Sequence, residues 1–291
     1  MFTFLPTFIP TIVQIFPFVL AFVLLAAKPL HKHPVAFYIP IAIVVLIVSI
    51  PAFISGMMGD ACPEAITQLA RTLHHLDRSY PVLYPFVQLF TSIDTGISMY
   101  LIVMFIGALR KTASVRRLYS VRSELSILAG IIVAGHVLRV IDHAFFLFNP
   151  EWAERMQGPA LIVMGGTLTF VGLALLVFFL IPWITSFPAL RKRMSAATWK
   201  KTQLLAYPFM FFMVLMGMGL NAGYALRNYP YTSEKFTQTM ASDPIGFLSS
   251  FAGDVASATV FFVVGVLYLG LRLNKHREDK EARLKAAKTA K

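Results

Sequence analysis

Residues 35–55 read VAFYIPIAIVVLIVSIPAFIS, a run of 21 residues without one charged side chain. An α-helix rises 1.5 Å per residue, so about 20 apolar residues cross a hydrocarbon core of roughly 30 Å. The run has no polar face of the kind that a helix on the surface of a soluble protein shows. It is therefore predicted to span a membrane.

Six other segments share this character. They predict an all-α integral membrane protein, a bundle of about seven transmembrane helices. The composition agrees, since 57% of the 291 residues are hydrophobic and 14% are charged. A closed barrel would need alternating segments of about ten residues, which the sequence lacks. The seven predicted helices lie at about 8–27, 35–55, 83–109, 124–148, 158–186, 202–226 and 248–271.

The chain is expected to form one membrane domain with three regions. Residues 1–82 hold two helices and an outer loop, 83–226 a four-helix core, and 227–291 a loop, the last helix and a basic tail. The first helix lacks the basic start of a secretory signal and is too long for one, so we expect it to be retained. Pro10 and Pro17 are expected to bend it.

Positive charge alternates between the predicted loops. Residues 28–34, 110–123, 187–201 and the tail from Arg272 carry two, five, five and eight Lys or Arg residues, whereas the alternate loops carry five in all. The positive-inside rule then predicts an N-terminus outside and a C-terminus inside, as in a multi-pass protein of the cytoplasmic membrane. The net charge of +12 thus reflects topology and attraction to anionic lipid, and no nucleic-acid partner is expected.

Several redox chemistries are excluded by what the sequence lacks. Cys62 is the single cysteine, so this chain has no internal disulfide, no thiolate iron–sulfur site and no CxxCH haem attachment. Neither a nucleotide fingerprint nor a phosphate-binding glycine loop is present. We therefore expect no flavin or NAD site in this chain.

Residues 134–145, AGHVLRVIDHAF, place four titratable residues inside the fourth predicted helix. At 100° per residue, His136, Arg139, Asp142 and His143 fall within one arc of about 120°. We expect this stripe to face the bundle interior, because ionisable groups facing lipid cost several kcal/mol.

Three interpretations of the stripe are open. Arg139 can pair with Asp142 while the histidines hydrogen-bond across helices. The stripe can belong to a proton or ion path that includes Asp94 and Asp254. His136 can instead ligate a b-type haem, since neutral imidazole is the usual ligand. Asp94 is expected to face this helix and neutralise Arg139, which could otherwise bind a haem propionate or a quinone.

Residues 116–136, RRLYSVRSELSILAGIIVAGH, resemble the ferric-reductase-like transmembrane domain family. That family includes the haem subunit of bacterial methionine sulfoxide repair systems and the membrane portion of NADPH oxidases. The likeness consists of a basic loop, an R-x-x-L-[GS] helix start at Arg122, and a histidine, His136, at the spacing of a haem ligand. The resemblance covers residues 83–226 and continues downstream with Thr185, Ser186, RKRM at 191–194 and WKKTQLLAY at 199–207.

The sequence departs from this family at the second ligand helix. Haem-bearing members carry a histidine about nine residues after the motif tyrosine, where this chain has Met216, and many carry one where it has Gln203. By depth, His136 and Met216 lie about 18 and 21 Å from the inner side, so a His/Met haem is one possibility. Methionines that fill gaps in a helix interface are the alternative. His143, one helical level further out, is a further candidate ligand.

The resemblance implies a membrane electron-transfer subunit that holds haem b on His136 and serves a partner reductase or electron-donor protein, with a quinone as a further partner. Two alternatives remain open. One is a haem-free anchor or assembly subunit of a redox complex. The other is a proton-coupled or lipid-binding membrane protein. The basic tail is expected to be solvated or to dock a soluble partner.

Overall fold

The computed structural model describes residues 8–76, 80, 82–110, 112–141, 159–228, 238 and 241–289. Every regular element in these residues is helical, which confirms the all-α membrane bundle. The helices are α1 (Thr11–Lys32), α2 (Val35–Met58), α3 (Glu64–His74), α4 (Tyr84–Thr91), α5 (Ile93–Ala108), α6 (Ala113–Tyr119), α7 (Arg122–Val140), α8 (Pro159–Gly166), α9 (Gly172–Ser186), α10 (Pro188–Arg191), α11 (Ala196–Gln203), α12 (Ala206–Asn228) and α13 (Pro244–Thr289).

Within the described residues, six helical stretches are long and apolar enough to cross a membrane. The bent pair α4 and α5, which meet at 49°, becomes a seventh if it is one span. A π-helical turn, Thr167–Val171, joins α8 to α9 so that both form one 28-residue span. The predicted number of helices therefore agrees with the structure when the bent pair is counted as one.

Some predicted boundaries are wrong. Pro10 precedes α1 instead of bending it, and the helix continues through Pro17 and Pro29. The fourth helix is described only to Val140, and the predicted residues 142–148 lie outside the described part. The last helix is far longer than 248–271, because the polar residues after Arg272 continue the same helix for 46 residues in total. Its helix-forming composition explains this continuation.

The core lies between α7 and its neighbours. α7 packs on α2 and α5, and α5 also packs on α1. On the other side of the bundle, α12 packs on α13, α8 and α9. α9 connects the two halves through its contacts with α7 and α12, so α7 and α12 meet their main partners in different interfaces.

One end of the bundle gathers the basic segments, and we call it the basic end. It comprises the end of α1, residues 109–110, 112–126 and 186–203, and the extension of α13 from Arg272. Two ion pairs join these segments. His31 Nδ1 lies 2.9 Å from Glu124 Oε1, and Arg110 forms an ion pair with Glu278.

Candidate functional site

Four of the predicted site residues fall within the described part of the chain, and the structure distributes them over different interfaces. His136 and Arg139 lie on α7, Gln203 on α11 and Met216 on α12. His143 and its neighbour Asp142 lie outside the described residues. All four described candidates are partly buried.

His136 lies on the face of α7 that packs against α5. It follows Ala129 by seven residues and Ile132 by four, so the three share one side of the helix. A Cβ added to Gly96 of α5 would lie 3.4 Å from the Ala129 carbonyl oxygen and 3.5 Å from an Ile132 methyl carbon. Helix periodicity therefore places the partly buried His136 on the side of α7 that carries these contacts.

A break at Ser92 separates α4 from α5 close to this face. Ser92 has extended backbone angles, and its hydroxyl accepts a hydrogen bond from the Asp94 backbone N–H at 3.2 Å. This is an N-cap, which Ser favours because its side chain satisfies a free N–H of the first helical turn. The Ser92 hydroxyl also lies 3.4 Å from the Asp94 carboxylate.

Arg139 binds the other side of this break. Its Nη2 donates to the backbone carbonyl of Thr91, the last residue of α4. A carbonyl at a helix end has no partner within its own helix, and a cation there also complements the helix dipole. Within the described residues Arg139 forms no ion pair with Asp94. The predicted neutralisation of Arg139 by Asp94 is thus absent in the described residues. The guanidinium donates to the Thr91 carbonyl instead.

Gly135 serves helix packing. A Cβ at this position would lie 2.1 Å from Val45 Cγ1 and 3.0 Å from Ser49 Oγ of α2. The space beside Gly135 is therefore filled by α2, and a flat macrocycle cannot use it. Small residues that allow two backbones to approach are common at membrane helix interfaces.

Met216 lies in a different interface from His136. Its side chain packs with Met164 and Leu168 of the fifth span, and its Cε would lie 3.7 Å from a Cβ on Gly172. Gly219, on the same face of α12, lies against Thr167. These contacts match the gap-filling alternative for the methionines, with Met210 and Met213 also buried in the core.

The contacts of Met216 and Gly135 give no support to a haem held between His136 and Met216. The Met216 thioether packs in the α12–α8 interface, and α2 occupies the space beside Gly135. In the described part of the chain, no group of three or more His, Cys, Asp or Glu side chains could hold a metal ion.

The basic end contains a cavity of about 230 Å³ between α5, α7, α9, α11 and α12. Its apolar floor is a cluster of aromatic rings. Tyr100 and Phe209 have ring centroids 5.0 Å apart, and Phe179 and Trp183 stack at 5.3 Å. Tyr100 donates its hydroxyl to the Ser126 carbonyl at 3.2 Å, which fixes the ring against α7.

Hydrogen-bond donors of four residues line one part of this cavity, which we call its mouth: Arg122, Arg191, Trp199 and Gln203. The Trp199 indole Nε1 and the Gln203 amide Nε2 are buried atoms without a hydrogen-bond partner in the described residues. Arg191 stacks over the Trp199 ring at 4.4 Å, and Arg122 contributes a second guanidinium from α7. A buried donor without a partner costs about 1–3 kcal/mol, so this mouth is complementary to an acceptor.

The charge of the lining has one sign. The lining contains Arg122 and Arg191, whereas Asp and Glu are absent from its 17 described residues. Neither arginine forms an ion pair with any part of the chain that the structure describes. No carboxylate of the lining balances these two arginines, so the cavity is suited to an anionic or hydrogen-bond-accepting group.

A second depression lies between α1, α5 and α13 and differs in chemistry. It measures about 510 Å³, and every residue that lines it is apolar, among them Phe16, Phe105 and Val264. Such a surface suits hydrocarbon and offers no group that could select a head group. The donor-lined cavity is therefore the candidate binding site.

Hydrogen bonds hold the extension of α13 beside the donor-lined cavity. Arg272 Nη1 and Lys275 Nζ donate to the Gly107 carbonyl at 2.9 and 2.8 Å. Arg122 lies on the same end of α5, because a Cβ on Gly107 would be 3.5 Å from its Nη2. Arg122, Arg272 and Lys275 thus converge on the end of α5. Outside the spans, Arg110 donates a hydrogen bond to the Glu278 carboxylate, and this bond raises the pKa of Arg110.

Comparison with known proteins gives little functional information. No protein-family model matches the chain, and no solved structure matches it. An uncharacterized protein of Treponema pallidum (strain Nichols) is 31% identical over 121 residues, which is 41% of this chain and 31% of that protein. The chain therefore spans less than a third of that relative, and the ferric-reductase-like resemblance stays a prediction.

Sequence reasoning named Gln203 as a candidate cofactor-binding residue, and Arg122, Arg191 and Trp199 only as parts of motifs. It did not predict that these residues line one cavity, since segments that are far apart in the chain form that cavity. The break at Ser92 had a readable signal, because Ser followed by Asp two residues later is typical of a helix start.

Proposed function

We propose that this protein binds a membrane amphiphile through its head group, in the donor-lined cavity at the basic end. The lipid-binding alternative of the sequence analysis relied on Arg139, Asp142 and Asp94, and the proposal here places lipid binding in a different part of the bundle. A quinone belongs to the same chemical class of ligand. The single observation that supports it most is the pair of buried, unpartnered N–H donors, Trp199 Nε1 and Gln203 Nε2, beside two arginines.

The position of the cavity agrees with this function. By the positive-inside prediction, the basic end faces the cytoplasm, so the mouth lies at the level of the inner leaflet head groups. The cavity is smaller than the roughly 300–1,000 Å³ of pockets that enclose whole small molecules. A head group therefore enters, and the hydrocarbon chains stay in the bilayer.

Native mass spectrometry of the detergent-purified protein tests the proposal. The protein is incubated in turn with didecanoyl phosphatidate, didecanoyl phosphatidylcholine and a short-chain ubiquinone analogue. We expect a one-to-one adduct with at least one of the three. Ala206→Leu, which fills the cavity, and Gln203→Leu, which removes a donor at similar volume, should weaken it.

Ala197→Leu is the matched control, because Ala197 lies on the same helix as Gln203 but is exposed and outside the lining. Each variant is first checked for an unchanged melting temperature. The absence of any adduct, or adducts that both cavity variants retain in full, would overturn the proposed function.

A second candidate is the membrane electron-transfer subunit that the family resemblance implies. It is favoured by one observation, the partial burial of His136 on α7, a helix that packs on α5. A haem would then use His136 without Met216, and a partner reductase or donor protein would supply the other half of the electron path.

The spectrum of the purified protein decides this candidate. Oxidised and dithionite-reduced absorption spectra of protein from haem-replete cells should show b-type bands that His136→Ala abolishes and Met216→Leu leaves unchanged. A spectrum without these bands would rule out the haem subunit and leave the haem-free alternatives.

A further inference from the structure

We infer that the head group recognised by the cavity is a phosphate, carried by an anionic phospholipid. This inference rests on the proposed function and specifies its ligand. It follows from the charge, the number and the placement of the donors at the mouth, which a neutral quinone or a zwitterionic head group would match poorly.

The charge of the mouth requires an anion. Arg122 is half-buried at the start of α7, and Arg191 is exposed on α10 and lies over the Trp199 ring. No carboxylate lines the cavity to balance them. A neutral acceptor would leave this charge uncompensated.

The donors belong to three helices. Arg122 comes from α7, Arg191 from α10, and the Trp199 and Gln203 N–H groups from α11. A carboxylate presents two oxygens in one plane, whereas a phosphate monoester presents three oxygens around a tetrahedral centre. Guanidinium groups also form paired hydrogen bonds with phosphate oxygens. The arrangement therefore favours phosphate over carboxylate.

The aromatic floor limits how deep a ligand can enter. Tyr100, Phe179 and Phe209 are nearly fully buried and form an apolar base beneath the polar mouth. The rings close the inner end of the cavity, so the phosphate stays at the level of the arginines and the glycerol and acyl chains stay outside. This places the polar group at the interface, as the amphipathic character of a lipid requires.

The test compares two ligands that differ only in the phosphate, didecanoyl phosphatidate and didecanoyl glycerol. Binding to the full chain in phosphatidylcholine nanodiscs is measured by quenching of tryptophan fluorescence. We expect phosphatidate to bind at least tenfold more tightly, and more weakly as salt increases. Arg191→Gln should reduce that affinity about tenfold, because a charge-assisted hydrogen bond is lost.

Arg193→Gln is the control for Arg191→Gln, since Arg193 is two residues away, exposed and outside the lining. Equal binding of didecanoyl glycerol or of a ubiquinone analogue would overturn the phosphate inference while the proposed function stands. If no amphiphile binds, both the phosphate inference and the proposed function are wrong. Competition by millimolar inorganic phosphate would support the phosphate group alone as the ligand, and phosphatidate binding without such competition would support the phospholipid.

Discussion

The guanidinium of Arg139 donates a hydrogen bond to the main-chain carbonyl of Thr91, on another helix and 48 residues earlier in the chain. Inside a membrane every backbone polar group needs a partner, and the break at Ser92 interrupts the ladder that would supply one. Arg139 thereby stabilises the helix break, which gives one residue of the polar stripe a structural role.

Arg139→Met should therefore destabilise the protein. The Thr91 carbonyl would lose a hydrogen bond to a charged donor, which contributes about 1.5–3 kcal/mol, and relief of guanidinium burial would offset part of this loss. We expect a melting temperature several degrees lower in detergent, with partial recovery in Arg139→Lys. Arg71→Met, on the exposed face of α3, should leave it unchanged. An unchanged melting temperature in Arg139→Met would show that water satisfies the Thr91 carbonyl.

Gly130→Ala should also destabilise the protein. The Trp183 indole lies over this glycine, so that an added Cβ would be 1.9 Å from its Nε1, and that nitrogen donates to the Ile127 carbonyl at 3.2 Å. Overpacking of this kind costs about 1–3 kcal/mol. The matched variant Gly166→Ala has nothing within 4 Å and should gain about 0.5–1 kcal/mol from helix propensity. Thermal unfolding of both variants measures the difference, and equal stabilities would contradict the packing described.

Trp199→Phe should separate binding from stability. Phenylalanine keeps a ring beneath Arg191 but lacks the indole N–H, which has no partner in the described residues. We expect an unchanged melting temperature and a several-fold weaker affinity for phosphatidate by native mass spectrometry. Trp183→Phe is the contrasting variant, because its indole is already hydrogen-bonded. A Trp199→Phe protein that binds as tightly as the wild type would exclude the indole from recognition.

The sequence was sufficient to predict the all-α membrane bundle, because long apolar runs are a local property of the chain. The placement of Met216 was not predictable in the same way. Depth along a helix gave its level, but the direction of its side chain depends on which helix packs beside α12, and that helix is α8. The cavity was hidden for the same reason, since Arg122 and Arg191 meet only in the folded bundle.

The fastening of the α13 extension gives a last prediction. Arg272 and Lys275 both donate to the Gly107 carbonyl, and the Arg272 guanidinium lies 4.7 Å from the centre of the Tyr207 ring. In the double variant Arg272→Gln, Lys275→Gln, the extension loses both charged donors, and amides of residues 276–289 should exchange about tenfold faster with deuterium. Arg277→Gln with Lys280→Gln removes the same charge from exposed positions and should not accelerate exchange. Unchanged exchange in the first variant would mean that the apolar contact of Tyr268 with Phe105 is enough to hold the helix in place.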